Sequence, residues 1–286
     1  MTEQEIRAVV EQVLRRMRPD APTENAGGGD LSSGTLPDLA AVDLRKLYLV
    51  DDPKDRAAFM AMKERTPARI GTGRAGARYR TETMLRFQSD HASAQDAVFS
   101  DVPEEFLKEM GWQAYQTTCE SREEFLTRPD KGRVFDSDTI GKIRASVPAG
   151  TQVVLYVADG LSSSAVQANA GDILPVIREG LQDAGLKVNE PFFVRFGRVA
   201  TEDQIGEATG ADVVCVLLGE RPGLVTAESM SAYIAWRPTV GMPESRRTVL
   251  ANIHRGGTPA VEAGAHIVDL IRLMMEKKKS GTELPV

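Results

Sequence analysis

The sequence predicts an α/β protein, with a C-terminal Rossmann-like parallel-sheet domain carrying helices on both faces, preceded by a mainly helical N-terminal region. Two observations carry this expectation. Continuous apolar runs, Val153-Val-Leu-Tyr-Val157, Phe192-Phe-Val-Arg-Phe196 and Val213-Val-Cys-Val-Leu-Leu218, appear after Pro148-Ala-Gly150. Strands that are apolar throughout are buried on both faces, and helical segments between them give the pattern of parallel βαβ units. From Asp43 to Val147 the spacing is instead irregular and helical, with few strand runs.

The elements follow in chain order. Ile6, Val9, Val10, Val13, Leu14 and Met17 recur at helical spacing and predict an amphipathic helix over residues 1–17. Residues 18–42 are rich in Gly, Pro and Ser and read as a flexible linker. A tethered helix of this kind suits a partner groove better than a membrane, because its Glu and Arg are mixed rather than uniformly basic. Residues 43–150 form the expected helical domain, with helices over Pro53–Arg65 and Thr81–Phe99, and Ser121-Arg-Glu-Glu124 has capping-box spacing ahead of Phe125. Residues 151–286 form the sheet domain. Its helices fall at Asp172–Ala184, Glu202–Thr209 and Pro259–Lys278, and a further strand lies near Tyr233–Trp236.

Composition narrows the function. The chain has 286 residues, 42% of them hydrophobic, enough for roughly two domains of ~150 residues. Lys plus Arg number 35 against 41 Asp plus Glu, a net charge of -6 that disfavours nucleic acid and anionic membrane. Cys119 and Cys215 are the two cysteines, and Cys215 lies within an apolar run where a thiol packs as a small hydrophobe. A reducing cytoplasm is the expected setting. No apolar stretch reaches the ~18 residues of a membrane span.

Chemistry in a parallel sheet belongs beyond the carboxyl ends of the strands. Each long apolar run meets glycine there: Asp159-Gly160, Gly197-Arg198-Val199 and Gly219-Glu220-Arg221-Pro222-Gly223. Glycine permits close approach of a bulky ligand, and Pro222-Gly223 suits the centre of a type II turn. Ordinary strand-to-helix turns explain the same glycines, and both explanations stand at this level. Gly71-Thr-Gly-Arg-Ala-Gly76 is formally GxGxxG, but no apolar strand precedes it, so it is rejected as a dinucleotide loop. Arg69, Arg74, Arg78 and Arg80 crowd it, which suits a phosphate, an acidic partner surface or plain solvent. His91, His254 and His266 lack metal-ligand spacing, and no metal site is expected. Ser162-Ser-Ser164 lacks a nucleophile elbow and reads as helix caps.

The motifs Arg69-Ile-Gly-Thr-Gly-Arg-Ala-Gly76, Phe193-Val-Arg-Phe-Gly-Arg-Val199 and Leu218-Gly-Glu-Arg-Pro-Gly-Leu224 occur together in one order. So do Thr127-Arg-Pro-Asp-Lys-Gly-Arg133, Asp159-Gly-Leu-Ser162, Glu202-Asp-Gln-Ile-Gly206, Glu228-Ser229 and Asn252-Ile-His-Arg-Gly-Gly-Thr-Pro259. Over about Asp51 to Gly281 the chain resembles the small subunit of ethanolamine ammonia-lyase. The resemblance implies a larger barrel partner, adenosylcobalamin bound between the two subunits, and radical conversion of ethanolamine to acetaldehyde and ammonia. The substrate pocket then belongs to the large subunit, and no catalytic residue is expected here.

The family's cofactor contacts map by position to Val199, Glu220 and Val249, the last standing where the family often has Cys. Arg198 is added for its neighbouring position and for the anionic nucleotide loop of the cofactor. Base-on binding is implied, since no D-x-H-x-x-G motif is present. The resemblance also implies that residues 1–17 serve entry into a bacterial microcompartment. The competing function is a non-enzymatic adaptor whose helix and basic loop recruit cargo to a metabolic complex.

Overall fold

The computed structural model describes residues 42–43, 46–66 and 68–285. The expected helix over 1–17, and the linker as far as residue 41, lie outside them. The described residues divide into two compact units, those up to Ser93 and those from Ala94 onward.

In the first unit, Asp55 caps helix α1 (Arg56–Lys63) by accepting from the Ala58 amide at 2.9 Å, so the helix starts later than the expected Pro53. The glycine-rich loop closes an antiparallel hairpin of β1 (Arg74–Ala75) and β2 (Arg78–Tyr79). Gly76 sits at its turn with φ +62°, a conformation that costs glycine no Cβ clash. Helix α2 (Thr81–Phe99) follows directly.

The second unit is built on a six-stranded sheet. Its strands are β3 (Ala114–Gln116), β4 (Val153–Ala158), β5 (Phe192–Arg195), β6 (Val213–Gly219), β7 (Met230–Trp236) and β8 (Arg247–Ile253), arranged β3-β5-β4-β6-β7-β8. The helices are α3 (Glu104–Glu109), α4 (Arg122–Thr127), α5 (Ser137–Ser146), α6 (Ser163–Asp183), α7 (Thr201–Thr209) and α8 (Ala260–Lys277).

One expectation needs correction. The sheet is mixed rather than parallel: β3, β5, β4 and β6 run parallel, whereas β7 is antiparallel to β6 and β8 is antiparallel to β7. A parallel crossover needs a dozen or more residues, usually containing a helix, and the 220–229 connection is shorter and has none. Within 43–150 the helices are accompanied by short strands. This region contributes the β1–β2 hairpin, and Ala114-Tyr-Gln116 enters the sheet beside Phe193, Val194 and Arg195. Three residues are too few to show a period of two.

Strand residues alternate between two apolar clusters. Val153, Leu155, Val157, Cys215 and Leu217 join residues of α6 and α8, among them Ile173, Ile177, Ile267 and Ile271. Val154, Tyr156, Val214, Val216 and Leu218 join Ile143 of α5 and Ile205 of α7. Helix α6 starts at Ser163 rather than at Asp172, because Ser162 accepts from the Ala165 amide at 3.1 Å and caps a small-residue turn that lacks a broad apolar stripe. Among the described residues, no helix is long and apolar enough to cross a membrane.

At the carboxyl end of the central strands, two turns pack backbone on backbone. A Cβ on Gly219 would lie 2.2 Å from the Ser162 carbonyl oxygen and 2.4 Å from that of Asp159, and one on Gly160 would lie 2.3 Å from the Gly219 carbonyl oxygen. These glycines admit the chain itself rather than a ligand. Gly219→Ala should therefore cost at least about 3 kcal/mol, the upper end of overpacking penalties, since backbone cannot retreat as a side chain can. Gly171→Ala, in α6 with open space around it, should gain about 0.4–1 kcal/mol. Urea unfolding midpoints of the two variants check the pair, and equal midpoints would contradict this packing.

Candidate functional site

The rim of the second unit is held by a buried ion pair. Arg122, at the start of α4, donates to Asp159 Oδ2 at 2.9 Å, to Asp101 Oδ1 at 2.8 Å and to the Gly160 carbonyl at 3.2 Å. Its guanidinium lies over Phe196 at 4.9 Å and Phe125 at 5.4 Å. Burial raises the Asp159 carboxyl above its ordinary range, with Arg122 and the Phe196 and Gly197 amides opposing. Asp159 Oδ1 accepts from the Gly197 amide at 3.2 Å, and Phe196 before it takes a left-handed φ of +55°. The turn after β5 is thereby fixed in a conformation that non-glycine residues seldom adopt.

Arg198 and Val199 extend from that turn. The Arg198 amide donates to the Gly132 carbonyl at 2.8 Å, its Nη2 donates to the Phe125 carbonyl at 2.7 Å, and its guanidinium stacks on the Phe125 ring at 4.4 Å. Its Nε is buried without a partner. Val199 packs at the edge of the cluster containing Tyr156, Val216 and Ile205.

Glu220 and Val249 meet through a residue that the sequence reading passed over. Tyr233, on β7, donates its hydroxyl to Glu220 Oε1 at 2.8 Å. It is the cross-strand partner of Val249 on β8 and packs against the same cluster as Val199. Burial, then the bond to Glu220, raises the Tyr233 phenol well above its ordinary value, so it stays a neutral donor to Glu220, whose side-chain oxygens have acceptor capacity beyond this one bond. Val249 is 46% exposed, an open apolar position directly across the strand pair from Tyr233. Gly223 does not take the positive φ of a type II turn; its amide instead donates to the Thr226 carbonyl at 3.0 Å.

The two halves are tied by Arg247. From the first residue of β8 it donates to Glu202 Oε2 at 3.2 Å and to Asp203 Oδ1 at 2.5 Å, both in the first turn of α7, and to Glu244 Oε2 at 3.0 Å. Arg247, Glu202 and Asp203 are buried, and three carboxylates against one cation leave surplus negative charge. Glu202 relieves it: burial pushes its carboxyl up to about 8, against the pull of Arg247, and Oε1 has no partner. The signal available in the sequence was Glu202-Asp203 opening a helix, which reads equally well as ordinary helix-dipole matching.

The other expected residues separate by role. Ser162 caps α6 and donates to the Ala227 carbonyl at 2.5 Å, while Ser121 caps α4 by accepting from the Glu124 amide at 3.2 Å. In the first unit, Arg69 pairs with Asp90 at 2.6 Å and Arg80 pairs with Asp51, so the basic loop is partly neutralised; Arg74 and Arg78 are exposed.

A family model described as ethanolamine ammonia-lyase light chain (EutC) matches residues 56–285. An ethanolamine ammonia-lyase small subunit from Clostridium tetani (strain Massachusetts / E88) is 53% identical over 294 residues, covering 99% of each chain. The small subunit from Listeria monocytogenes serotype 4b (strain CLIP80459) is 52% identical, and that from Clostridioides difficile (strain 630) is 50% identical; each alignment covers 99% of this chain and 100% of the relative.

Two variants test the Arg247 tie. Arg247→Met strands buried acids and should cost about 3–5 kcal/mol, whereas Glu202→Gln imitates the protonated acid and should cost under about 1 kcal/mol at neutral pH. Glu202 is raised in the folded state from its ordinary 4.5 to about 8, so its contribution is present below about pH 4.5 and is lost as pH rises through about 8. The urea midpoint should therefore fall more between about pH 5 and pH 8 for the parent than for Glu202→Gln, and parallel profiles would contradict the assignment.

Proposed function

The chain belongs to the ethanolamine ammonia-lyase light-chain family, and from that premise we propose that it is the small subunit of an adenosylcobalamin-dependent ammonia-lyase, acting only with a large subunit. Adenosylcobalamin, when bound, supplies the radical chemistry by which ethanolamine gives acetaldehyde and ammonia. This chain supplies part of the cradle, at Arg198, Val199, Glu220 and Val249.

The observation that carries the reading is the Tyr233–Glu220 hydrogen bond beside the open strand position Val249. A carboxylate fixed by a neutral phenol accepts from amide N–H groups, which the corrin periphery carries in number, and Val249 offers apolar contact next to it. Its side chain carries no thiol, so a contact there goes through backbone or the valine methyls. The unpartnered Arg198 Nε fits an anionic group in the same cradle. His254 supports base-on binding, since its Nδ1 accepts from the Gly256 amide at 3.1 Å and its Nε2 meets Asn252 Oδ1 at 2.8 Å, engaging both ring nitrogens within its own loop. No residue of this chain is assigned to proton or hydrogen transfer.

The assembly proposed is a hetero-oligomer in the cytoplasm. Residues 1–17 would direct it to a microcompartment where the host builds one. The adaptor alternative loses force because two of the four loop arginines already have intramolecular partners.

Co-expressed with a large subunit, the chain should form a complex that binds adenosylcobalamin and turns over ethanolamine only in its presence. Glu220→Ala should weaken cobalamin binding about ten-fold, the scale of one charge-assisted hydrogen bond, with assembly intact by size-exclusion chromatography. Superimposable cobalamin titrations of variant and parent would remove Glu220 from the site.

A further inference from the structure

Several cations near the rim have acidic partners. Arg128 pairs with Asp130 at 2.8 Å, Lys131 with Glu124, Arg195 with Glu104, and Arg122 with Asp159 and Asp101. Arg133, Arg198 and Arg221 depart from this pattern, meeting no carboxylate among the described residues. In a chain of net charge -6, cations left without an acidic partner are candidates to meet an anion from outside the chain.

Their positions are fixed by backbone. The Arg198 amide bond to the Gly132 carbonyl brings the turn bearing Arg133 against the turn after β5. The Glu220 amide, donating to the Ser229 carbonyl at 3.0 Å, closes the loop from which Arg221 projects. Arg198 is held flat on Phe125, and its Nε is buried without an acceptor. The Leu161 amide donates to the Gly219 carbonyl at 2.9 Å, packing the loop that bears Arg221 on the turn after β4, which Arg122 ties to the Phe125 ring that Arg198 also covers. Burial first, then Arg133 and to a smaller extent Arg221, lower the Arg198 guanidinium. Arg133 and Arg221 are exposed and open to a ligand.

We propose that Arg133, Arg198 and Arg221 form an anion subsite for the phosphodiester of a cobalamin nucleotide loop, resting on the reading of the cradle as a cobalamin site. Planar guanidinium forks match phosphate oxygens in pairs, and a phosphodiester bears a single negative charge, which three cations with one buried, unused donor readily accommodate. The subsite extends the Arg198 contact to two residues that no motif singled out. An acidic surface of the large subunit is the competing occupant.

Cobinamide and cobinamide phosphate, which differ only in the phosphate, separate the possibilities. Each is titrated by visible absorbance into the complex of this chain with its large subunit, for the parent and for Arg133→Gln and Arg221→Gln, whose exposed side chains can be replaced without disturbing the core. Each variant should lose about ten-fold in affinity for cobinamide phosphate and keep parental affinity for cobinamide. Losses equal for both ligands, no loss for either, or weakened subunit assembly with corrinoid affinity unchanged would overturn the subsite. A parent complex that shows no spectral change with adenosylcobalamin itself would overturn the cobalamin reading along with it.

Discussion

The buried guanidinium of Arg247 sets the geometry on which the candidate site depends. Arg198 and Val199 lie on the turn that leads into α7, whereas Tyr233 and Val249 lie on β7 and β8, far away in sequence. Arg247 joins the first turn of α7 to the first residue of β8 through Glu202 and Asp203. A buried cation facing two acids is not a cheap source of stability, because desolvation opposes most of the attraction. Its value here is positional: it fixes one register of helix against strand, and burial raises the Glu202 carboxyl against the pull of Arg247.

The glycines at the strand ends have a different cause from the one their spacing first suggests. Gly160 and Gly219 lie at the end of parallel strands, where ligands are commonly received. A Cβ at either would strike backbone carbonyls of the same rim. They let the loops after β4 and β6 pack together, and that packing presents the side chains flanking them. Glu220 is the residue after Gly219, and Arg198 is the residue after Gly197. The glycines are thus the support, and their neighbours are the proposed contacts.

Much of this was legible in the sequence, for identifiable reasons. Val153–Val157 and Val213–Leu218 are apolar on both faces and could be nothing but central strands or buried helix, and their length favours strand. Ser121 and Ser162 announce helices because a hydroxyl before a helical run satisfies otherwise orphaned amides. Illegible were β3, too short to show a period, and β8, whose half-exposed Arg247-Thr-Val-Leu-Ala-Asn-Ile253 lacks a continuous apolar run. The reversal at β7 was legible in principle, since a helix-free connection over 220–229 cannot make a parallel crossover. Tyr233 and Arg247 escaped notice because their importance lies in partners 13 and 45 positions away, Glu220 and Glu202. Such pairings come from topology, which a single sequence displays only through its motifs.

The turn after β5, the loop after β6 and strand β8 are proposed to form one cofactor face. Hydrogen–deuterium exchange of the assembled complex, with and without bound cobalamin, tests it directly. Cobalamin-dependent protection should concentrate in peptides covering residues 196–201, 220–225 and 247–252. The 71–80 hairpin should be unchanged. Protection absent from those three segments while cobalamin is demonstrably bound, or centred on 71–80 instead, would contradict it.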